Sequence, residues 1–371
     1  MQPTDPRFLD KLYELPIVPE GWPDVLHELA RSANAVGACI AADQGTETAI
    51  ARPVSPDLTD AIDDFITNGW YRRDIRGHRA WPAFKRGRQV LVEHEVSTED
   101  ERKFSAYHNE WLRPWDLPWW GAVGIPVGDT YCGLVLLRSE RAGPLTQQEM
   151  RPYLALRPHL GRVLELTKLL ANQRAEAIVD ALQLVGHPAF LLGGNGRVMR
   201  INAHAEQLVP NLFSLAGGRL AIAGGRGEAG LQRLVAAIQS PLFPRNTSEL
   251  APAIIRRQGL QPVVLRVLPL RGALSEVLQG ARAILIAADL ARTARPDPGL
   301  LRALYALTPA ETNLALALAE TLDLALAAAR LGITHGTARN HLKAIFAKTE
   351  TRRQSELIAI LHNLGSAQAP A

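Results

Sequence analysis

The sequence predicts a multidomain α+β protein, in which two α/β segments with antiparallel sheets precede an all-α segment of four helices. The chain of 371 residues is longer than one hydrophobic core usually spans, so two or three domains are expected. In residues 1–292, short strand-like apolar runs alternate with helical runs. In residues 300–371, apolar residues recur only at helical spacing.

Composition narrows the class of protein. Hydrophobic residues make up 47% and charged residues 21%, as in globular proteins rather than disordered ones. The net charge of +4 and the pI of 9.2 permit a nucleic-acid partner. Two cysteines cannot form a zinc site alone, and they suit a reducing compartment. No signal-peptide core or membrane-length apolar run is visible, so we expect a cytoplasmic protein with no membrane contact.

The first segment, residues 1–172, reads as helices packed on an antiparallel sheet. Strand-like runs occur at 35–42, 89–92, 122–127 and 133–138, and helical runs at 22–32, 58–68 and 99–112. Aromatic residues cluster here although they make up only 6% of the chain. Aromatic walls with a few polar groups suit a small-molecule cavity, whereas the alternative is a tryptophan-rich core or a hinge. The predicted ligand-binding residues are Trp70, Tyr71, Asp74, Trp81, Trp111, Trp115 and Trp119.

A mostly helical stretch runs from 146 to about 184. Thr146 and Glu149 have capping-box spacing, so a helix should begin there and be interrupted or kinked by Pro152 and Pro158. Apolar residues between 160 and 170 then recur at helical spacing. Two readings stay open: this helix connects two sensor domains and pairs with its copy in a dimer, or it packs only on its own domain.

The second segment, residues 173–292, reads as a small α/β domain. A strand at 189–192, a glycine-rich turn at 193–196 and a return strand at 198–201 predict a hairpin. Asn202 should cap a short helix, and later strands are expected at 262–270 and 281–288. His187 and His204 stand alone, so we favour structural roles over haem ligation and expect neither a cofactor nor a metal.

The last segment, residues 300–371, follows a polar, proline-bearing linker at 291–299. A capping box at Thr308 and Glu311 begins one helix, and a second capping-box spacing at 351–354 begins the last. Between them, an apolar run at 322–331 stops at Gly332, and Thr334 can cap another helix that extends to about Lys348. Two helices joined by so short a turn form a helix-turn-helix, the unit that places a recognition helix in the major groove.

The charged residues of this segment fit nucleic-acid binding. Arginine and lysine can bond guanine edges or phosphates, and asparagine can bond adenine edges. The predicted DNA-binding residues are Thr334, Thr337, Arg339, Asn340, Lys343, Lys348, Arg352 and Arg353. The last helix carries an apolar stripe that one small domain should not cover fully, so we expect it to contribute to a homodimer. The predicted dimer residues are Leu357, Ile360, Leu361 and Leu364.

These motifs resemble a known family. LTPAE at 307–311, GITHGT at 332–337 and RNHLKAIFAK at 339–348 resemble the LuxR-type helix-turn-helix over about sixty-five residues. The resemblance implies that Arg339, Asn340 and Lys343 face base edges and that Thr337 approaches the backbone. The chain departs from the family where a glycine and a lysine–glutamate pair are usual, since it has Glu320-Thr321 and alanines there. The valine usual after the threonine is Ala338.

The upstream segments have resemblances of their own. The first is similar to a GAF-like domain or to the autoinducer-binding domain of LuxR regulators. The order Trp70, Tyr71, Asp74 resembles the residues that bind acyl-homoserine lactones there, with a different spacing and with Ile75 where proline is usual. GNGRV at 194–198 followed by NAHAE at 202–206 resembles the opening of a PAS domain, without the cysteine motif of flavin photosensors.

The sequence therefore predicts a transcription regulator that binds an operator in double-stranded DNA and responds to a small, partly apolar or aromatic effector. A homodimer, and contact with RNA polymerase, are expected partners. The alternative is a sensor or adaptor that acts through protein contacts and whose C-terminal domain is degenerate. No glycine-rich phosphate loop, nucleophile elbow or HExxH motif occurs, so we do not expect an enzyme.

Overall fold

The computed structural model describes residues 5–43, 49–209, 211–225, 227–240, 243, 249–257, 260–270, 280–289 and 296–367. Within these residues the fold is mixed, with two five-stranded antiparallel sheets and a two-stranded hairpin before a helical C-terminal part. This confirms the predicted α+β class. None of the described helices is long and apolar enough to span a membrane.

The first sheet has the strand order β2-β1-β5-β4-β3. Its strands are β1 Gly37–Asp43, β2 Ala49–Val54, β3 Val90–Val92, β4 Trp119–Val127 and β5 Thr130–Arg138. The helices of this part are α1 Pro6–Glu14, α2 Trp22–Ser32, α3 Thr59–Thr67, α4 Ile75–Lys85, α5 Glu93–Val96, α6 Glu99–Phe104, α7 Gln147–Leu154 and α8 Arg157–Leu184. Of these elements, β2, α1, α4 and α5 were not predicted from the sequence.

Strand alternation divides the residues around this sheet into two cores. Ile40 and Leu134 point to one face, which α1, α2, α7 and α8 cover. Cys39 and Val135 point to the other face, against residues of α3, α4 and the 107–112 segment. Because neighbouring residues of a strand point to opposite faces, one short sheet supplies both cores.

One predicted helix is split. The run at 99–112 ends as an α-helix at Phe104, because Ser105 is extended with φ −73° and ψ 142°. The chain then continues as a π-helical segment, Tyr107–Leu112. The Ser105 hydroxyl lies 2.8 Å from Nδ1 of His108 and also accepts its backbone N–H, so a local side-chain bond replaces the helical one.

The second sheet has the order β10-β11-β12-β6-β7. Its strands are β6 Ala189–Gly193, β7 Val198–Ile201, β10 Ala253–Arg257, β11 Leu260–Pro269 and β12 Ala281–Asp289, with the separate hairpin β8 Phe213–Ala216 and β9 Arg219–Ile222 and the helices α9 Ala203–Glu206 and α10 Glu228–Gln239. Asn202 caps α9 as predicted. If the strands of each sheet are numbered in chain order, the first sheet has the order 2-1-5-4-3, and the second sheet has the same order when it is read from β7 to β10. This repeat of topology was not predicted.

The 28-residue helix α8 packs on both sheets. Leu160 and Val163 belong to the core of the first sheet, whereas Ala175 and Val179 pack with residues of β6 and β12. The predicted interruption lies between α7 and α8, and Pro158 occupies the first turn of α8, where a proline costs no hydrogen bond.

The C-terminal part contains five helices within the described residues, one more than predicted. They are α11 Pro298–Tyr305, α12 Pro309–Thr321, α13 Leu324–Leu331, α14 His335–Thr349 and α15 Gln354–Ala367. The capping box of Thr308 and Glu311 begins α12 as predicted. Gly332 ends α13 with φ 67°, a left-handed conformation that glycine adopts without strain.

Two boundaries of this part differ from the prediction. Residues 291–295 of the predicted linker lie outside the described residues, but Asp297 caps α11, so helix replaces linker from Pro298. Thr351 does not cap α15. Its hydroxyl bonds Thr349, and the carboxylate of Glu356 instead accepts the backbone N–H groups of Arg352 and Arg353.

Two glycine substitutions should change the stability of the protein in opposite directions. A Cβ at Gly124 in β4 would lie 2.5 Å from Cδ1 of Phe84, so Gly124→Ala should destabilise the protein by about 1–3 kcal/mol. A Cβ at Gly161 in α8 would meet nothing nearer than 3.5 Å, so Gly161→Ala should stabilise it by about 0.5–1 kcal/mol. Thermal denaturation measures both, and equal effects of the two variants would contradict the described fit of Phe84 on β4.

Candidate functional site

A cavity of about 60 Å³ lies between α4 and the first sheet, on the face that carries Trp120 and Val135. A void of this size exceeds the roughly 10–15 Å³ that one water needs, so it has room for a compact molecule. Its walls are mainly aromatic. The rings that line it are Phe65, Trp81, Phe84, Tyr107, Trp111 and Trp120.

The aromatic wall is formed from separate segments that hold one another in place. Trp111 stacks on Tyr107 at 5.5 Å between ring centroids and meets Phe65 of α3 at 4.8 Å. Across the cavity, Trp81 and Phe84 of α4 are edge to face at 6.0 Å. Such pairs fix ring orientation as well as bury area, so the cavity has defined walls.

Asp74 supplies a buried carboxyl group to this apolar cavity. The backbone N–H of Gly77 and the hydroxyl of Tyr107 donate to it, but its Oδ1 has no hydrogen-bond partner. Burial raises the pKa of Asp74, and the two hydrogen bonds and the Arg76 charge only partly oppose the rise. The indole N–H groups of Trp81 and Trp111 are also buried without a partner. Buried polar groups are normally satisfied, so these three mark a site for a polar ligand or ordered water.

A buried ionic network lies beside the cavity. Arg76, which is 2% exposed, places Nε 2.8 Å from Oε2 of the fully buried Glu93. Its Nη2 also donates to the carbonyls of Leu117 and Pro118, at 3.2 and 2.7 Å. Burial alone would raise the pKa of Glu93, but Arg76, His108 and Ser97 outweigh burial and lower it.

The network reaches the wall of the cavity through the 107–112 segment. Nε2 of His108 lies 3.3 Å from Oε1 of Glu93, and Ser97 donates to the same carboxylate. Tyr107 and Trp111, on either side of His108, line the cavity. Arg76 and Glu93 therefore fix the segment that aims the Tyr107 hydroxyl at Asp74.

The structure brings together three of the seven predicted ligand-binding residues, since Asp74, Trp81 and Trp111 line the cavity. The other four lie elsewhere. Trp70 is half-buried beneath the Arg73 guanidinium, and Tyr71 packs against Phe65. Trp115, 38% exposed, donates to Asp64 at 2.9 Å.

Trp119, which was also predicted to bind the ligand, does not line the cavity. Trp120 lines the cavity, and its neighbour Trp119 packs near His94 and Arg102 instead. The alternation of a strand places these two tryptophans on opposite faces. The predicted strand began at 122, so strand alternation was not expected to separate the two tryptophans.

Gly77, Ala80 and Phe84 line the cavity but were not predicted, because helix α4 was not predicted. Together with Trp81 they recur at helical spacing, a signal that identifies both the helix and its cavity face. Arg76 carried no such signal. Its burial depends on Glu93 and on two backbone carbonyls that are distant in sequence.

The second candidate site is the outer surface of α13 and α14. Thr334 caps α14, and its hydroxyl bonds both the N–H and the hydroxyl of Thr337. Arg339, Asn340 and Lys343 are exposed on α14, whereas Ala338, Leu342 and Ile345 are buried on its inner face. Arg352 and Arg353 are exposed at the start of α15. Among the described residues, no ion pair involves Arg339, Lys343, Arg352 or Arg353.

Lys348 is exposed as well, but unlike these cations it forms an ion pair. Its ammonium donates to Oε2 of Glu311 at 2.7 Å and to the carbonyl of Ala306 at 3.0 Å. Burial alone would raise the pKa of Glu311, but hydrogen bonds from Lys348 and Thr308 outweigh burial and lower it. Lys348 therefore ties α14 to the start of α12, a role that the count of cations in the sequence could not reveal.

Most of the predicted dimer residues pack in the core of the C-terminal part. Leu357 and Leu361 are 0% and 1% exposed within its core, and Leu364 packs partly buried against the same core. Ile360 is half-exposed. The stripe is therefore covered only in part, as expected: α12 and its neighbours cover Leu357 and Leu361, whereas Ile360 and Leu364 stay partly exposed.

No family model and no curated protein matches the chain. The ligand-binding domain of VqsR from Pseudomonas aeruginosa is similar at 15% identity and a TM-score of 0.35, over 44% of this chain and 96% of that one. A phage VqmA–DPO complex is similar at 17% identity and a TM-score of 0.22, over 53% and 89%. The Escherichia coli DhaR(N)–DhaL complex is similar at 15% and 0.24, over 76% and 86%. These similarities are too distant to assign a family.

The Lys348–Glu311 pair predicts a pH-dependent stability. A carboxyl whose pKa is lowered on folding adds stability above its unfolded pKa, and that stability is lost as the pH falls through the folded value. Lys348→Met should therefore destabilise the protein by about 1–3 kcal/mol at neutral pH, and by less below about pH 4. Thermal denaturation at both pH values measures this. The control, Lys343→Met, removes an exposed cation and should leave the melting temperature unchanged; equal losses would contradict the assignment.

Proposed function

We propose that this chain is a DNA-binding transcription regulator that responds to a small molecule bound in the aromatic cavity. The observation that carries the proposal is the exposed trio Arg339, Asn340 and Lys343 on α14, which follows α13 after a short glycine turn. An amphipathic helix that only packs in a bundle has no need for unpaired cations of this kind. The LuxR-type resemblance of 307–348 supports the same function.

The proposed reading surface follows from helix geometry. Arg339 and Lys343 are one helical turn apart on α14, and Asn340 is next to Arg339, so all three can reach one half-site. Arginine and asparagine make two-point hydrogen bonds to guanine and adenine edges, respectively. Thr334 and Thr337, near the N-terminus of α14, and Arg352 and Arg353 would contact the phosphate backbone.

The proposed sensing part is residues 1–172, with a relay or second sensor in 173–292 and DNA binding in 300–371. The common strand order of the two sheets supports the resemblance of both segments to GAF- and PAS-like sensors. The helix α8 packs on both sheets and gives them a direct mechanical link. An effector shifts DNA binding only if it binds two arrangements of these parts with different free energies.

We further propose a cytoplasmic homodimer that presents two recognition helices to a two-fold symmetric operator. Since Leu357 and Leu361 are buried within one chain, α15 contributes less to the dimer than the sequence suggested. The exposed side of α8 carries Leu166 and Leu169 and is the better candidate surface. RNA polymerase stays an expected partner of the DNA-bound dimer.

The adaptor alternative has one observation in its favour. Leu322, which ends α12, and Leu326 in α13 are 53% and 61% exposed. An apolar surface suits a protein partner better than phosphate. The two functions make opposite predictions for the cationic residues of α14, because an adaptor does not need them.

Substitution of Arg339 tests the DNA-reading function. Arg339→Ala should weaken specific binding by roughly 1–3 kcal/mol and relax preference at one base pair. Arg352→Ala or Arg353→Ala should weaken binding to all sequences and lower the salt dependence by about one unit per lost phosphate contact. Binding to operator and scrambled duplexes at several salt concentrations separates the two classes. If none of these variants changes DNA binding, the adaptor alternative replaces the regulator.

Filling the cavity tests the effector site. Ala80 is 1% exposed and lines the cavity, so Ala80→Val should occupy much of its volume while keeping the fold. Protein purified from its own host should lose any retained small molecule, which native mass spectrometry detects, and operator binding should no longer respond to it. Ala83→Val, half-buried on the same helix but outside the cavity, is the control. Retention of the ligand by Ala80→Val would place the effector elsewhere.

A further inference from the structure

We propose that the effector is a compact organic cation, an amine that also carries a hydrogen-bond acceptor, with Asp74 as its counter-ion. This proposal rests on the proposed effector site and adds the chemical class of its ligand. It follows from the charges around the cavity, from the polar atoms that face no partner, and from the nature of the walls.

The charges that line the cavity are not equally paired. Asp74 and Arg76 are the two ionisable side chains of opposite sign that line the cavity, but Arg76 is already neutralised by the buried Glu93 at 2.8 Å. Among the described residues, no ion pair includes Asp74. The thiol of Cys39, the other acid on the sheet side, stays protonated because burial and the nearby Asp74 raise its pKa to about 12. The cavity therefore holds one carboxyl that is not part of an ion pair among the described residues, and the nearby charges of Arg76 and His78 only partly oppose the rise of its pKa.

The hydrogen bonds of that carboxyl are incomplete. Gly77 and Tyr107 both donate to Asp74, which favours the carboxylate form, yet Oδ1 faces no donor. A buried carboxylate is strongly disfavoured unless a charge and a hydrogen bond compensate it. A ligand ammonium supplies both at Oδ1, in the short charge-assisted geometry that neutral donors do not match.

The walls favour the same class of ligand. Six aromatic rings surround the cavity, and aromatic faces attract organic cations where water is excluded. The volume of about 60 Å³ limits the molecule to a small one. The indole N–H groups of Trp81 and Trp111 lack acceptors, so the same ligand should carry an oxygen or ring nitrogen that accepts from them.

The test compares three probes of similar size that differ in charge. Propylamine is a cation at neutral pH. The two neutral probes are 1-propanol, whose hydroxyl donates and accepts, and propionamide, which has N–H donors and a carbonyl acceptor. Each is titrated against the full chain, and the rise in melting temperature gives its affinity by mass action. We expect propylamine to bind about tenfold more tightly than either neutral probe. In Asp74→Asn, which keeps the shape and removes the charge, that preference should disappear.

Two further measurements test whether the charge of Asp74 causes the preference for propylamine. For the wild type, lowering the pH through the raised pKa of Asp74 should remove the preference for propylamine, because protonation removes the counter-ion, and should leave 1-propanol unaffected. Should Asp74→Asn fail to fold, Tyr107→Phe keeps the charge and must keep the preference.

Other results would overturn the class of ligand. Equal or tighter binding of propionamide would assign a neutral amide-like effector, and a preference for propylamine that persists in Asp74→Asn would place the cation outside this cavity. Neither outcome affects the proposed function, since the operator-binding response to the effector retained from the host, and its loss in Ala80→Val, are measured separately.

Discussion

The burial of Arg76 is the constraint on which the first half of the molecule depends. A guanidinium that is 2% exposed must find partners inside the protein, and it finds them on segments distant in sequence: Glu93 at the start of α5 and the carbonyls that precede β4. Glu93 in turn engages His108 of the π-helical segment. Replacing such a pair by apolar residues is often neutral for stability, so stability alone does not explain it. Its consequence here is geometric, because it holds the segment that carries Tyr107 and Trp111 against the helix that carries Asp74 and Trp81.

The same constraint explains why the cavity is polar at one point and apolar elsewhere. Asp74 and Arg76 are two residues apart at the start of α4, yet one is balanced within the protein and the other is not. Arg76 forms its ion pair with Glu93, and its charge only partly offsets the cost of burying the Asp74 carboxylate. Tyr107 orients the Asp74 carboxyl without neutralising it. A site with fixed walls and one unbalanced charge is preorganised for a ligand, since the cost of ordering it is met when the protein folds.

How far the sequence predicted the structure depended on the range of the interactions. Signals that act within a few residues were reliable: Thr146, Thr308, Asn202 and Gly332 begin or end helices where expected. Signals of composition were weaker. The cluster of tryptophans identified the right region, but only Trp81 and Trp111 of the five predicted tryptophans line the cavity. The pairing of Lys348 with Glu311 was not visible in the sequence either, because the two residues lie 37 positions apart. Local sequence patterns do not show which residues far apart in the chain will pair.

The charged residues of the cavity are buried, whereas those of the proposed DNA-binding surface are exposed, and this difference separates the two proposed functions. Beside the cavity, Arg76 is buried with Glu93 as its partner, whereas no ion pair of the described residues includes Asp74. A ligand that reaches Asp74 therefore changes the balance of charge in a low-dielectric region where electrostatic effects are strong. On α14 and α15, Arg339, Lys343, Arg352 and Arg353 are exposed, where water screens them until a phosphate or base replaces it. Between them, α8 contacts both sheets through apolar side chains. A change in packing at the first sheet therefore has a continuous physical route to the second, because close-packed cores transmit displacement rather than absorb it.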